Sequence, residues 1–249
     1  MKKAVVENFI QKYSLGGAID SVNWHVENGT LSVTGTPQDT QVISFVDTDA
    51  LDLSDGTYSI YDTTQLRSFL NVMGGDINLD VVTNGSRPIS FKMDDKPSGG
   101  RTKIQFVLSD PNVIPKESKE ADLGDFDVGM DINKDFMTRF IRSKSALSDL
   151  NVFTVVTDED ENTSFILGYD SNMLTSQIQM EVETDGGLEL PRTFSANYLK
   201  EIFAANKDCE RGRIEIHERS EMVGVMKVSF EHDDYNVRYY LLQINKQAM

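Results

Sequence analysis

The chain has 249 residues, 39% of them apolar, enough to bury one large core or two modest ones. No stretch approaches the roughly 18 apolar residues of a membrane span, and Glu7, Asn8, Gln11 and Lys12 interrupt any leader-like core in MKKAVVENFIQKYS, so a soluble, cytoplasmic protein is expected. A formal charge of −16 argues against phosphate binding unless the basic residues are segregated, and the lone Cys209 excludes a disulfide framework or a cysteine-based metal site.

Val6, Phe9, Ile10 and Tyr13 recur at i, i+3, i+4, i+7 and predict a first helix that stops near Gly16. Strand-like alternation follows at Leu31 and Val33, and the acidic run Asp47–Asp55 reads as solvated surface. Leu66, Phe69, Leu70 and Met73 predict a second helix, with Asp62 or Thr63 as its N-cap and Gly74 beyond its end. Ile77, Leu79 and Val81, then Ile104, Phe106 and Leu108, alternate as strands. Gly74-Gly75 and Gly99-Gly100 lack the GxxxxGK context of a phosphate loop and read as turns. Ser109–Asp125, SDPNVIPKESKEADLGD, has the proline and charge content of an extended connector. Asn133 caps a third helix on Met137, Phe140 and Ile141, with the stem of Lys144 in the fourth place. Ile178, Met180 and Val182 form another strand. Ser195 caps a fourth helix on Leu199, Ile202 and Phe203, with Asn206 in the fourth place, and Ile214 and Ile216, then Val237, Tyr239 and Leu241, close the chain as strands. Asp94 and Asp95, Glu117–Asp131, Asp158–Glu161 and Asp233–Asp234 are further acidic surface.

The leading helix anchors lie about 60 residues apart within each half and 131 to 133 apart between halves, which points to internal duplication. The expected organisation is an N-terminal domain over 1–109, a connector over 110–127 and a C-terminal domain over 128–249. At 100° per residue the third helix turns Arg139 and Arg142 away from its apolar stripe, with Asp135 as the acidic residue there. Lys12, Arg67 and Lys200 flank the polar faces of the other three helices, diluted by Glu7 and Glu201, and Lys2 and Lys3 sit at the chain start.

Two stretches carry a family resemblance: GTYSIYDTTQLRSFLNVMGGDINLDV, and LPRTFSANYLKEIFAANKD followed by GVMKVSFEHDDYNVRYYLLQI. They resemble strand–helix–strand passages of the DNA sliding clamps, the polymerase processivity factors of tailed phages, and the second is also similar to cellular clamps such as proliferating cell nuclear antigen. The resemblance covers nearly the whole chain in order, length and duplication. It implies an α+β fold of duplicated clamp domains in a ring of three subunits, with β-sheets outside and four short helices per subunit lining the hole. Double-stranded DNA would pass through that hole without sequence preference, and a DNA polymerase and a clamp-loading ATPase would be partners. No catalysis, metal or cofactor is implied. The DNA-facing residues would be Lys2, Lys3, Lys12, Arg67, Arg139, Arg142 and Lys200, acting on phosphate charge.

Ring closure in such clamps joins edge strands of successive subunits, here Arg101–Leu108 and Ser176–Glu183. Arg101, Lys103, Ile104 and Phe106 would meet Ile178, Met180, Glu181 and Glu183, pairing opposite charges. A partner peptide would dock between the connector and the C-terminal strand on Val113, Ile114, Tyr240 and Leu242. Two other readings compete with the clamp. A carboxylate-metal nuclease is suggested by the many aspartates, yet His25, His217 and His232 lack metal-ligand spacing, and Asp122, Asp125, Asp127 and Asp131 do not follow the EF-hand order. A β-rich virion or scaffold protein with duplicated domains is the other.

Overall fold

The computed structural model describes residues 2–95, 100–170, 175–220, 223–232 and 234–244; Gly99 and Asp233, singled out above, lie outside them. All four helices form. They are α1 (Lys3–Ser14), α2 (Thr63–Val72), α3 (Lys134–Ala146) and α4 (Ala196–Ala205). The Asp62 carboxylate accepts from Gln65 N at 2.6 Å, the Asn133 side chain from Phe136 N at 2.9 Å and Ser195 Oγ from Tyr198 N at 3.3 Å, so three of the four open helix ends have the side-chain cap that the sequence foresaw. Leu15 and Gly16, both at positive φ, end α1.

Helices this short are marginal in isolation. Packing holds them: Val6, Phe9, Ile10 and Tyr13 in α1 and Leu199, Ile202 and Phe203 in α4 are all buried. Each such side chain contributes about 2 kcal/mol relative to exposure. Lys144 and Asn206, the polar residues in the fourth anchor position, are buried too. Lys144 Nζ donates to Ser148 O at 2.7 Å, and Asn206 Nδ2 to Tyr239 Oη at 3.0 Å, so neither burial leaves its polar group unpaired.

Among the described residues fifteen strands accompany the helices. In the first half they are β1 (Val22–Glu27), β2 (Thr30–Gly35), β3 (Val42–Thr48), β4 (Gly56–Ile60), β5 (Ile77–Asn84), β6 (Arg87–Asp95) and β7 (Lys103–Val107). In the second they are β8 (Val128–Asn133), β9 (Val152–Thr157), β10 (Thr163–Leu167), β11 (Ile178–Val182), β12 (Arg192–Ser195), β13 (Arg211–Ser220), β14 (Val223–His232) and β15 (Tyr235–Leu242). The order resolves into a unit of strand, helix and three strands used four times: β4-α2-β5-β6-β7, β8-α3-β9-β10-β11 and β12-α4-β13-β14-β15, with α1-β1-β2-β3 as the first. That first copy keeps a remnant of its leading strand, an antiparallel bridge from Lys2 to Asp76.

Two compact units contain these repeats in pairs. The first comprises Met1–Gln38, Ser44–Lys119 and Asp233–Val237; the second comprises Asp39–Ile43, Glu120–His232 and Arg238–Met249. Within each unit the repeats exchange strands. The strand leading into a helix pairs not with its own repeat's meander but with the other's: β4 with β1, β12 with β9 and β8 with β13, all antiparallel. Neither repeat can then close its sheet alone, so the pair folds as one body. The first core holds Phe9, Tyr13, Trp24, Tyr58 and Phe91. The second holds Phe136, Phe140, Phe153, Phe165, Phe194 and Phe203, whose rings meet mostly edge to face.

Candidate functional site

Charge divides sharply between helices and the rest of the chain. The four helices hold eight basic residues and three acidic ones, a net of +5, which leaves −21 on everything else. Two of the eight, Lys12 and Lys144, are buried with the apolar stripes, so the outward helix faces carry six basic residues and three acidic ones, a net of +3 in an acidic protein.

Arg139 and Arg142 are exposed on α3, and neither forms an ion pair among the described residues. Arg67 is half-buried on α2. Lys200 on α4 is partly exposed, with Nζ 3.5 Å from Glu201 Oε1. Lys2 is exposed, while Lys3 donates to Met73 O at 2.9 Å and lies 3.4 Å from Glu7. Lys12 departs from the expectation. It is fully buried, with Nζ 5.1 Å above the ring of Tyr235, and cannot face DNA. The helical wheel puts Lys12 at the margin of the stripe; the start of β15 covers that margin and a cation–π contact accommodates the ammonium.

The two strands expected at a subunit seam are both sheet edges. β7 ends the three-stranded sheet β5-β6-β7, and β11 ends the four-stranded sheet β11-β10-β9-β12. Both are shorter than expected: Lys103 and Val107 are exposed along β7 with Arg101 exposed two residues before it, and Gln179 and Glu181 are exposed along β11 with Glu183 exposed just past its end. Arg101 also bonds Asp94 of its own sheet. Ile104 and Ile178 are half-buried. Phe106 and Met180 are buried in their own units, because alternation turns them to the core, so only their backbone is presented at the sheet edge.

The four residues expected at a peptide pocket differ in exposure. Val113 and Leu242 are exposed, but Ile114 is buried and pins the connector. Tyr240 is nearly buried, and its hydroxyl donates to Glu120 Oε1 at 2.7 Å. It does line a hollow of about 500 Å³, with Glu120, Leu123, Phe126 and Lys227. Lys227 Nζ lies 5.3 Å above the Phe126 ring. Leu123 and Phe126 were passed over in the sequence, although apolar residues inside the acidic run Glu117–Asp131 are as conspicuous as Val113 and Ile114. Burial opposes ionisation of Glu120, yet the bonds from Arg238 and Tyr240 outweigh it and hold its carboxyl below the usual range.

No group of three or more His, Cys, Asp or Glu side chains able to hold a metal occurs among the described residues, and no helix there is long and apolar enough to cross a membrane.

Duplicated α+β units, strand-exchanged repeats and four short helices define the fold of the DNA sliding clamps. The crystal structure of proliferating cellular nuclear antigen from Entamoeba histolytica matches with a TM-score of 0.73 and 14% sequence identity, over 98% of this chain and 96% of that one. The likeness is one of fold. No family model and no curated protein matches the sequence.

Proposed function

We propose that this protein is a sliding clamp of tailed-phage type, three copies of which close a ring around duplex DNA and tether a replicative polymerase. The observation that carries the reading is the charge division: +3 on the outward faces of the helices against −21 outside the helices, on a fold shared with a proliferating cell nuclear antigen. A ring that slides needs phosphate attraction without base readout, and a modestly basic lining supplies it without a tight stop. Arg139 and Arg142 lead the DNA-facing set, with Arg67, Lys200, Lys2 and Lys3 as weaker members. β7 and β11 form the seam, Arg101 and Lys103 meeting Glu181 and Glu183 across it. A polymerase peptide docks in the hollow at Leu123, Phe126 and Tyr240, and a clamp-loading ATPase opens the ring.

The clamp works by topology and performs no chemistry. Its test joins mass and activity: sedimentation should give three copies per particle, and the protein should increase product length of its polymerase on primed circular DNA when a loader and ATP are supplied. A monomer at every concentration, or equal product lengths with and without the protein, would overturn the reading.

A further inference from the structure

Four carboxylates of the connector segment are each held by a basic side chain. Asp110 Oδ2 lies 3.0 Å from Arg87 Nη1, and Glu117 Oε1 lies 2.7 Å from His25 Nε2, both in the first unit. In the second, Glu120 Oε1 accepts from Arg238 Nε at 2.8 Å, and Asp127 Oδ2 lies 3.4 Å from His217 Nδ1. Two of these partners are arginines, charged at every working pH. The other two are histidines, two of the three in the whole chain. Histidine is the side chain whose charge ordinarily changes between pH 5 and 8.

Each imidazole faces a carboxylate to which a ring nitrogen can donate. His25 Nδ1 lies 3.1 Å from Thr57 Oγ1, a hydroxyl that can accept, so a protonated ring can donate from both nitrogens, to Thr57 and to Glu117. The strands on either side of His25 place Ser32 and Thr57 opposite it, and Glu27 lies two residues along its own strand. His217 Nδ1 is buried and makes no hydrogen bond among the described residues, although Asp127 Oδ2 stands 3.4 Å from it. Asp127 is itself oriented by Glu218 N at 2.6 Å. Across the sheet from His217 is Val225 on β14; Glu215 and Arg219 are its same-strand neighbours, and Lys227 lies beyond Phe126 with its charge met by Glu215 at 3.1 Å. Protonation would thus turn an orphan nitrogen into a charge-assisted donor.

We propose that the connector is a proton-responsive strap. Arg87 and Arg238 hold Asp110 and Glu120 whatever the pH, while a proton taken up on the imidazole side of the His25–Glu117 and His217–Asp127 contacts turns each into a charge-assisted pair. The histidine latches bracket the segment carrying Leu123 and Phe126, so acidification would restrict the hollow those residues line. That a partner peptide uses the hollow rests on the clamp reading; the strap does not.

Amide hydrogen exchange on the free protein, corrected for intrinsic rates, tests this without DNA or polymerase. Between pH 8 and pH 6, protection of amides over 117–127 should rise about threefold, the scale expected of partly exposed ion pairs. The rise should vanish both in His25→Gln/His217→Gln and in Glu117→Gln/Asp127→Asn, the second pair leaving the imidazoles in place. A flat wild-type response would overturn the proposal, as would a rise that persists in either double variant. Because ring assembly and polymerase stimulation are measured separately, failure of the clamp reading would leave this result interpretable.

Discussion

Arg192 Nε donates to Glu218 Oε1 across 2.7 Å, and the two side chains retain only 3% and 9% of their exposure. The pair is further satisfied: Arg192 Nη1 donates to Gln243 Oε1 at 3.0 Å and Glu189 N to Glu218 Oε2 at 2.9 Å. Removing one partner strands a buried charge, which costs far more than the pair contributes net. Arg192→Ala should therefore lower unfolding free energy by about 3 kcal/mol in urea titration. A change of less than about 1 kcal/mol would show that water reaches the site.

Gly186 sits at φ 88°, and a Cβ there would collide with the carbonyl oxygen of Asp127. Its neighbour Asp185 exchanges both backbone hydrogen bonds with Gly129, at 3.0 and 2.7 Å, so the loop cannot easily retreat. Gly186→Ala should cost about 2 kcal/mol from strain and displacement together. Denaturation midpoints would measure it, and amide exchange should show the loss concentrated around Asp127.

The Asp95 carboxylate accepts from Gly74 N at 2.5 Å and Thr102 N at 2.9 Å, and these backbone bonds hold its pKa below the usual value. A depressed carboxyl contributes stability above its unfolded pKa and loses it as pH falls through the folded one. Asp95→Asn should therefore lower Tm at pH 7, and the gap to wild type should shrink through acid pH. A gap independent of pH would assign the effect to packing.

Arg139→Ala/Arg142→Ala should leave stability within about 0.5 kcal/mol, since both side chains are exposed. Under the proposed function the same variant should lose processive synthesis at moderate salt, and its DNA binding should depend less steeply on salt, by up to about 0.9 in log–log slope per lost phosphate contact. An unchanged salt profile would remove these arginines from the DNA-facing set.

Glu181→Lys/Glu183→Lys reverses the exposed charge of β11 and its C-terminal flank, which the proposed seam sets against Arg101 and Lys103 at the start of β7. Sedimentation should show the variant as folded monomers. A particle of undiminished size and stability would place the subunit seam elsewhere.

The sequence by itself determined the four helices, three of their caps, most strand alternation and the duplication, because helical periodicity, capping chemistry and repeat spacing are local properties that survive without tertiary context. It also marked Arg139 and Arg142, whose exposure follows from the stripe opposite them. Only the tertiary structure decided that Lys12 is buried, because the covering residue, Tyr235, lies at the other end of the chain. The exchange of leading strands between repeats, the turning of Phe106 and Met180 into cores, the gathering of Leu123, Phe126 and Tyr240 around one hollow, and the pairing of His25 and His217 with connector carboxylates were likewise invisible beforehand. Each depends on which distant segment lies alongside, and side-chain burial and charge pairing are set by that neighbour rather than by the residue's own pattern.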